Sequence, residues 1–235
     1  MFFIIGTNFA QALLSFFARG FYNYDDRYMF TATIRADGSS VFAPKNRWGV
    51  FPSFAGAWTI SNEPWMKGTT SWLDNLKLRV GYGVVGNDRI QNHQTEDLYS
   101  VSKYGLGASS IASLTTYTLS NPDLKWEGAE TINAGVDFSA LDGRVGFTVD
   151  IFQKDTRNLL LQQNLAFVSG WESQWQNIGK IRNRGLELSF KTINVNRQNF
   201  SWSTDFNISF LSNKLVSLQS GTEYMHVRTG FDSNN

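Results

Sequence analysis

Leu76, Leu78, Val80, Tyr82 and Val84 alternate with Lys77, Arg79, Gly81 and Gly83. Side chains two apart share one face of a strand, so this run predicts a strand with one apolar and one polar face. A helix would spread Lys77 and Arg79 around its surface. Ser53–Ser61 repeats the pattern, with Phe54, Gly56, Trp58 and Ile60 on one side. So do Tyr28–Arg35, Thr131–Phe138, Val145–Ile151, Gly185–Lys191 and Ser201–Phe210. An eighth strand, about Ser15–Tyr24, is less clean, because Arg19 and Asn23 share a face with Phe17 and Phe21.

The apolar faces of the seven clear strands carry no charged residue. The opposite faces hold Arg35, Lys77, Arg79, Asp137, Asp150, Glu187, Lys191 and Asp205 among Gly, Ser, Thr and Asn. A charge facing lipid costs about 2–4 kcal/mol near the bilayer midplane for Arg or Lys. The segregation therefore predicts membrane strands, with the charged set facing a lumen. Connector lengths add to this. Asp25–Asp26, Leu141–Gly143 and Asn194–Asn199 read as short turns, and Ser61–Asp74 is longer. Between them lie Ala36–Arg47, Gly86–Lys125 and Asp155–Arg184, all loop-like and mostly longer. Short turns on one rim and long loops on the other characterise outer-membrane barrels. Strands of roughly 9–11 residues suit a tilted crossing. Tyr22, Tyr24, Tyr28, Trp48, Trp58, Trp126 and Trp202 near strand ends suit interfacial girdles.

Composition narrows the picture further. Aromatics make up 15% of the 235 residues and Pro is scarce at 4. A helical membrane protein needs apolar runs of about 18 or more residues, and the chain has none. Net charge is +1, with no basic field for nucleic acid. Cys is absent, which excludes thiolate metal sites and thiol nucleophiles. Met1–Ala18 is apolar but lacks a basic start before Arg19, so a signal peptide is not expected there.

Several stretches, taken in order, resemble the SusC/RagA family of TonB-linked outer-membrane proteins of Bacteroidetes. They are YMFTATIRADGSSVF (Tyr28–Phe42), NRWGVFPSFAGAWTISNEPWMK (Asn46–Lys67) and LDNLKLRVGYGVVGN (Leu73–Asn87), followed by NPDLKWE (Asn121–Glu127) and TINAGVDF (Thr131–Phe138). DIFQKDTRNLL (Asp150–Leu160) and NIGKIRNRGLELSF (Asn177–Phe190) complete the set. The resemblance covers about residues 14–216. Residues 1–13 stand outside it, and 14–235 are expected to form part of a TonB-dependent receptor β-barrel. The resemblance implies an all-β, antiparallel transmembrane barrel of about 22 strands with a plugged lumen. Eight strands supply a portion of that wall, an open sheet if alone. The resemblance further implies nutrient uptake across the outer membrane, with glycans or peptides as substrate. Its implied partners are a SusD-like surface lipoprotein, outer-membrane lipid, and the TonB complex acting through a plug domain that this chain does not include.

No catalytic residue, metal ligand or cofactor is expected, and no enzyme activity. His93 and His226 lie far apart, and neither has metal-ligand spacing. Asp37–Ser40 (DGSS) reads as a turn. Gly81–Asn87 lacks the helix that a dinucleotide site needs. Asp123, Glu127 and Glu130 straddle a loop-to-strand junction, which argues for a rim location over a glycosidase pair. The candidate substrate contacts are loop aromatics, Tyr99, Tyr104, Tyr117, Trp171 and Trp175, because ring faces stack on sugars or peptide side chains. Two other readings compete. One is a self-contained eight-stranded structural or adhesive barrel, whose lumen must be filled by side chains. The other is a soluble β-sandwich binder.

Overall fold

The computed structural model describes residues 11–106, 109–116, 119–171 and 173–218. Twelve strands follow in chain order. They are β1 (Leu13–Tyr24), β2 (Tyr28–Ser39), β3 (Trp48–Thr59), β4 (Leu73–Asn87), β5 (Tyr99–Leu106) and β6 (Ser109–Thr116), then β7 (Glu127–Ala140), β8 (Val145–Arg157), β9 (Leu160–Asn164), β10 (Ser173–Asn177), β11 (Lys180–Arg197) and β12 (Phe200–Ser217). Eight of them form one sheet in the order β1-β2-β3-β4-β7-β8-β11-β12, every neighbour antiparallel. The remaining four form two hairpins, β5–β6 and β9–β10, inside the long connections.

All eight strands expected from alternation are present, and each is longer than a crossing requires. β11 and β12 run for 18 residues each. Their polar extensions carry the ladder past the apolar band. Asp37–Ser39 belongs to β2 and is buried, so DGSS is not a turn until Ser40. β4 likewise continues to Asn87, β8 to Arg157, and β11 begins at Lys180. Backbone pairing with a neighbouring strand overrides the turn preference of Asp and Gly.

The short rim has the expected tight turns. Asp25 and Asp26 adopt φ of 53° and 51°, a left-handed pair whose twist matches that of a hairpin. Leu141, Asp142 and Gly143 are also left-handed. Asp74 fixes that second turn by accepting from the Gly143 N–H at 2.8 Å. The longer connection folds as two 3-10 segments, Ile60–Asn62 and Pro64–Thr69.

The sheet does not close. β1 and β12 are its two edges, and every residue of both strands is exposed. The closed eight-stranded barrel is therefore not what these residues form. No soluble sandwich forms either, since no second sheet covers the eight strands among the described residues. The compact apolar core lies at the long-loop rim. Phe42 and Leu124 are fully buried there, together with Val41 and Leu160.

Candidate functional site

Register puts all eight charged residues of the polar set on one face. Lys77 lies opposite Asp137, Asp150 opposite Glu187, and Lys191 opposite Asp205. Arg35 joins them through Phe51 and the alternate residues of β3. The centre of this face is an ion network across three strands. Arg79 on β4 makes two hydrogen bonds to Asp137 on β7, at 2.7 and 2.9 Å. Its Nη2 also reaches Asp150 on β8 at 3.0 Å. The guanidinium crosses directly over Gly135. A Cβ there would lie 2.8 Å from Arg79 Nη2 and would collide with the Asp150 carboxylate. The missing side chain is what lets one arginine join both aspartates. A bidentate arrangement fixes geometry as well as charge, and so reinforces register. Toward the long-loop rim the same face holds the Arg35–Asp37 pair at 2.7 Å and the Ser39 hydroxyl donating to Asp88 at 2.6 Å.

The opposite face is apolar and uncovered by protein. Val80 is 60% exposed, Ile151 54% and Phe206 55%. A contiguous apolar surface of this kind marks an interaction face, not a solvated one. Aromatic rows bound it. Tyr24, Tyr28 and Trp58 line the short-turn rim, Tyr24 tilted against Tyr28 at 6.4 Å and Tyr28 stacked on Trp58 at 6.3 Å between centroids. Phe16 stacks on Trp48 at the other rim, 6.0 Å away. In β2, Tyr28 pairs with Trp58 and Gly38 with Trp48, so ten residues separate the rows. At about 3.3 Å per residue and a tilt of roughly 40°, that spans about 25 Å, the height of a barrel's apolar band.

Glu63 anchors the short rim. Its Oε1 accepts from the Tyr28 hydroxyl at 2.6 Å and from the Trp58 indole N–H at 2.9 Å, and Arg27 donates to Oε2 at 3.3 Å. The Tyr28 hydrogen bond, and then that from Trp58, hold this carboxyl below its ordinary range. The alternation pattern gave no sign of this residue, because it lies outside any strand. Its cue was Trp58 and Glu63 bracketing a single turn.

The long rim has its own packing. Trp126, Trp175 and Ile90 pack against the Phe42–Leu124 core. The Asn177 side chain pairs with the Lys125 backbone, accepting from its N–H at 2.9 Å and donating to its carbonyl at 2.7 Å. The candidate aromatics are thus divided. Trp175 belongs to the core. Trp171 is half-buried beside Ser169, and Tyr99 is exposed at the start of β5. Tyr104 falls on β5, and Tyr117 lies outside the described residues, as does His226. His93 contacts Glu96. Among the described residues no group of three or more acidic, His or Cys side chains is placed to hold a metal.

The three rim carboxylates act separately. Asp123 pairs with Lys45. Glu127 accepts from Asn87 and from the Leu160 N–H, tying β7 to the loop. Glu130 pairs with Arg157 at 2.7 Å. That pair belongs to a second cluster that the alternation reading missed. Buried Asp155 receives Arg182 through two hydrogen bonds, at 2.7 and 2.8 Å, and Lys180 at 3.0 Å. The signal was available. Positions 153, 155 and 157, and 184, 182 and 180, continue the apolar face of their strands in polar form.

An antiparallel wall with one ion-paired face, one bare apolar face and unequal rims defines a transmembrane β-barrel segment. A model of the TonB dependent receptor-like β-barrel matches residues 5–234. TonB-dependent receptor P3 of Formosa agariphila is 36% identical over 211 residues, covering 90% of this chain and 21% of that protein. TonB-dependent receptor SusC of Bacteroides thetaiotaomicron is 36% identical over 219 residues, covering 91% and 22% respectively. The RagAB peptide importer in its closed-closed state superposes with a TM-score of 0.84 at 31% identity, over 94% of this chain and 24% of that one. The siderophore receptor PirA from Pseudomonas aeruginosa shares the fold alone, at 16% identity and a TM-score of 0.54. The chain belongs to the SusC/RagA-type TonB-dependent receptor family. It is an outer-membrane protein. It spans about a fifth of the length of the curated relatives it matches.

Proposed function

We propose that the chain forms part of the wall of an outer-membrane importer for glycans or peptides. The observation that carries this reading is the extent of the match to the RagAB peptide importer, 94% of this chain at a TM-score of 0.84. In this reading the Arg79–Asp137–Asp150 face turns inward, against a plug and the permeating solute. The apolar face and its aromatic rows meet lipid. The long loops face outward, beneath a SusD-like lipoprotein, and the TonB complex supplies energy through the plug. Tyr99, Tyr104, Tyr117 and Trp171 meet substrate from the loops, and Trp175 holds the rim core beneath them.

Uptake of labelled oligopeptides and oligosaccharides by cells expressing the whole receptor provides the test. Uptake of one class is expected, and it should stop when either the receptor or TonB is removed. Uptake that persists without TonB would contradict the reading.

A further inference from the structure

The outward face changes character at one level on three adjacent strands. Leu186 pairs with Ile151 and Phe210, and all three are apolar. Two residues nearer the long-loop rim, Arg184 pairs with Gln153. Two further on, Arg182 pairs with Asp155 on one side and Lys214 on the other. Lys180 then lies opposite Arg157. Five cations therefore occupy the strip just beyond the apolar band. On the same strip stand two carboxylates, Glu130 and Asp155. The local balance is three positive charges, whereas the whole chain carries +1.

Pairing within the strip leaves the excess at defined places. Asp155 orders Arg182 and Lys180, and Glu130 takes Arg157. Arg184 has only the neutral Gln153 amide, whose oxygen accepts at 2.8 Å. Lys214 makes no ion pair among the described residues. Both side chains are exposed. A hollow of about 270 Å³ lies among Glu130, Gln153, Asp155, Arg157, Lys180 and Arg182. A rim that needed only to meet water would gain nothing from a one-signed excess. A rim at headgroup level beside an apolar band meets phosphates, and basic groups there hold anionic headgroups. A guanidinium grips a phosphate through two parallel hydrogen bonds.

We propose that this outward basic strip, with Arg184 and Lys214 as the cations that no carboxylate takes among the described residues, binds the phosphate of an outer-leaflet lipid headgroup. The acyl chains of that lipid lie along Leu186, Ile151 and Phe210 below. Asp155 is a positioning residue, since it holds Arg182 and Lys180 upright. The proposal does not depend on which solute the barrel carries.

The test uses the whole receptor in bilayer discs of phosphatidylcholine doped with phosphorylated lipid A, or with the same lipid after its phosphate is removed. Retained lipid is counted by native mass spectrometry. Wild type and an R184K/K214R variant should keep the phosphorylated lipid. An R184A/K214A variant should keep at least about tenfold less, while migrating in the same heat-modifiable folded form. Excess inorganic phosphate should not displace the lipid. Equal retention by the alanine variant, equal retention of the dephosphorylated lipid, or displacement by inorganic phosphate would each overturn the proposal.

Discussion

Arginine in place of Val149 keeps most of the receptor from its assembled, heat-resistant form, whereas arginine in place of Ser189 leaves assembly intact. Val149 lies on the apolar face of β8, opposite Val136 and Leu188 and one level inside the Ile151–Leu186 boundary of the apolar band. A guanidinium there must enter hydrocarbon or drag water with it, at a cost of about 2–4 kcal/mol. That cost lowers the equilibrium constant for assembly roughly thirtyfold or more. Ser189 lies on the neighbouring strand β11, on the opposite face between Glu187 and Lys191, across from Thr148 and Asn207. An arginine at 189 gains Glu187 as a neighbour and stays in a polar environment. The fraction of heat-modifiable protein in outer-membrane extracts reads both variants. Equal loss in the two would mean that the faces are wrongly assigned.

Truncating Phe42 to alanine opens the long-loop rim without dissolving the sheet. Phe42 is 1% exposed, packs on Trp126 with centroids 5.4 Å apart, and touches the Leu124 cluster. Removing a buried Phe costs about 3–5 kcal/mol, from lost transfer energy and the cavity left behind. Few other buried apolar side chains hold this rim among the described residues, so the cost falls on segments 119–126, 160–171 and 173–177. Their amide exchange should accelerate by two or more orders of magnitude, while the paired strands β7 and β8 keep wild-type protection. Loss of protection across the sheet as a whole would show that the rim core is not a separate unit.

Much of this was legible from alternation, because a period of two needs no knowledge of partners. Leu76–Val84 alone assigned Lys77 and Arg79 to the polar face, and register places them there. Strand ends were not legible. The same strands continue in polar residues, Asp37–Ser39 or Lys180–Arg184, that read locally as loop. The two loop hairpins were missed for a related reason. Ser109–Thr116 is mostly small and polar, and Leu160–Asn164 is short. The ion network depends on tertiary closure, with Arg79 and Asp150 separated by 71 residues. Gly135 carried a hint of it only in retrospect, since a glycine opposite Asp150 marks a close crossing. In β1, Arg19 donates to Thr33 at 3.1 Å, and register puts Phe17 and Phe21 on the same polar face, opposite Arg35 and Thr31.

Spin labelling distinguishes the lipid-facing side of this sheet from the side that faces a polar lumen. The chain has no cysteine, so a single introduced cysteine gives a unique label within it. Nitroxide labels at successive positions along β7, from Ile132 to Phe138 with Gly135 omitted, report oxygen from the bilayer and a charged relaxant from water. Oxygen maxima are expected at Ile132, Ala134, Val136 and Phe138, and minima at Asn133 and Asp137. Maxima at Asn133 and Asp137, or no period of two, would contradict it.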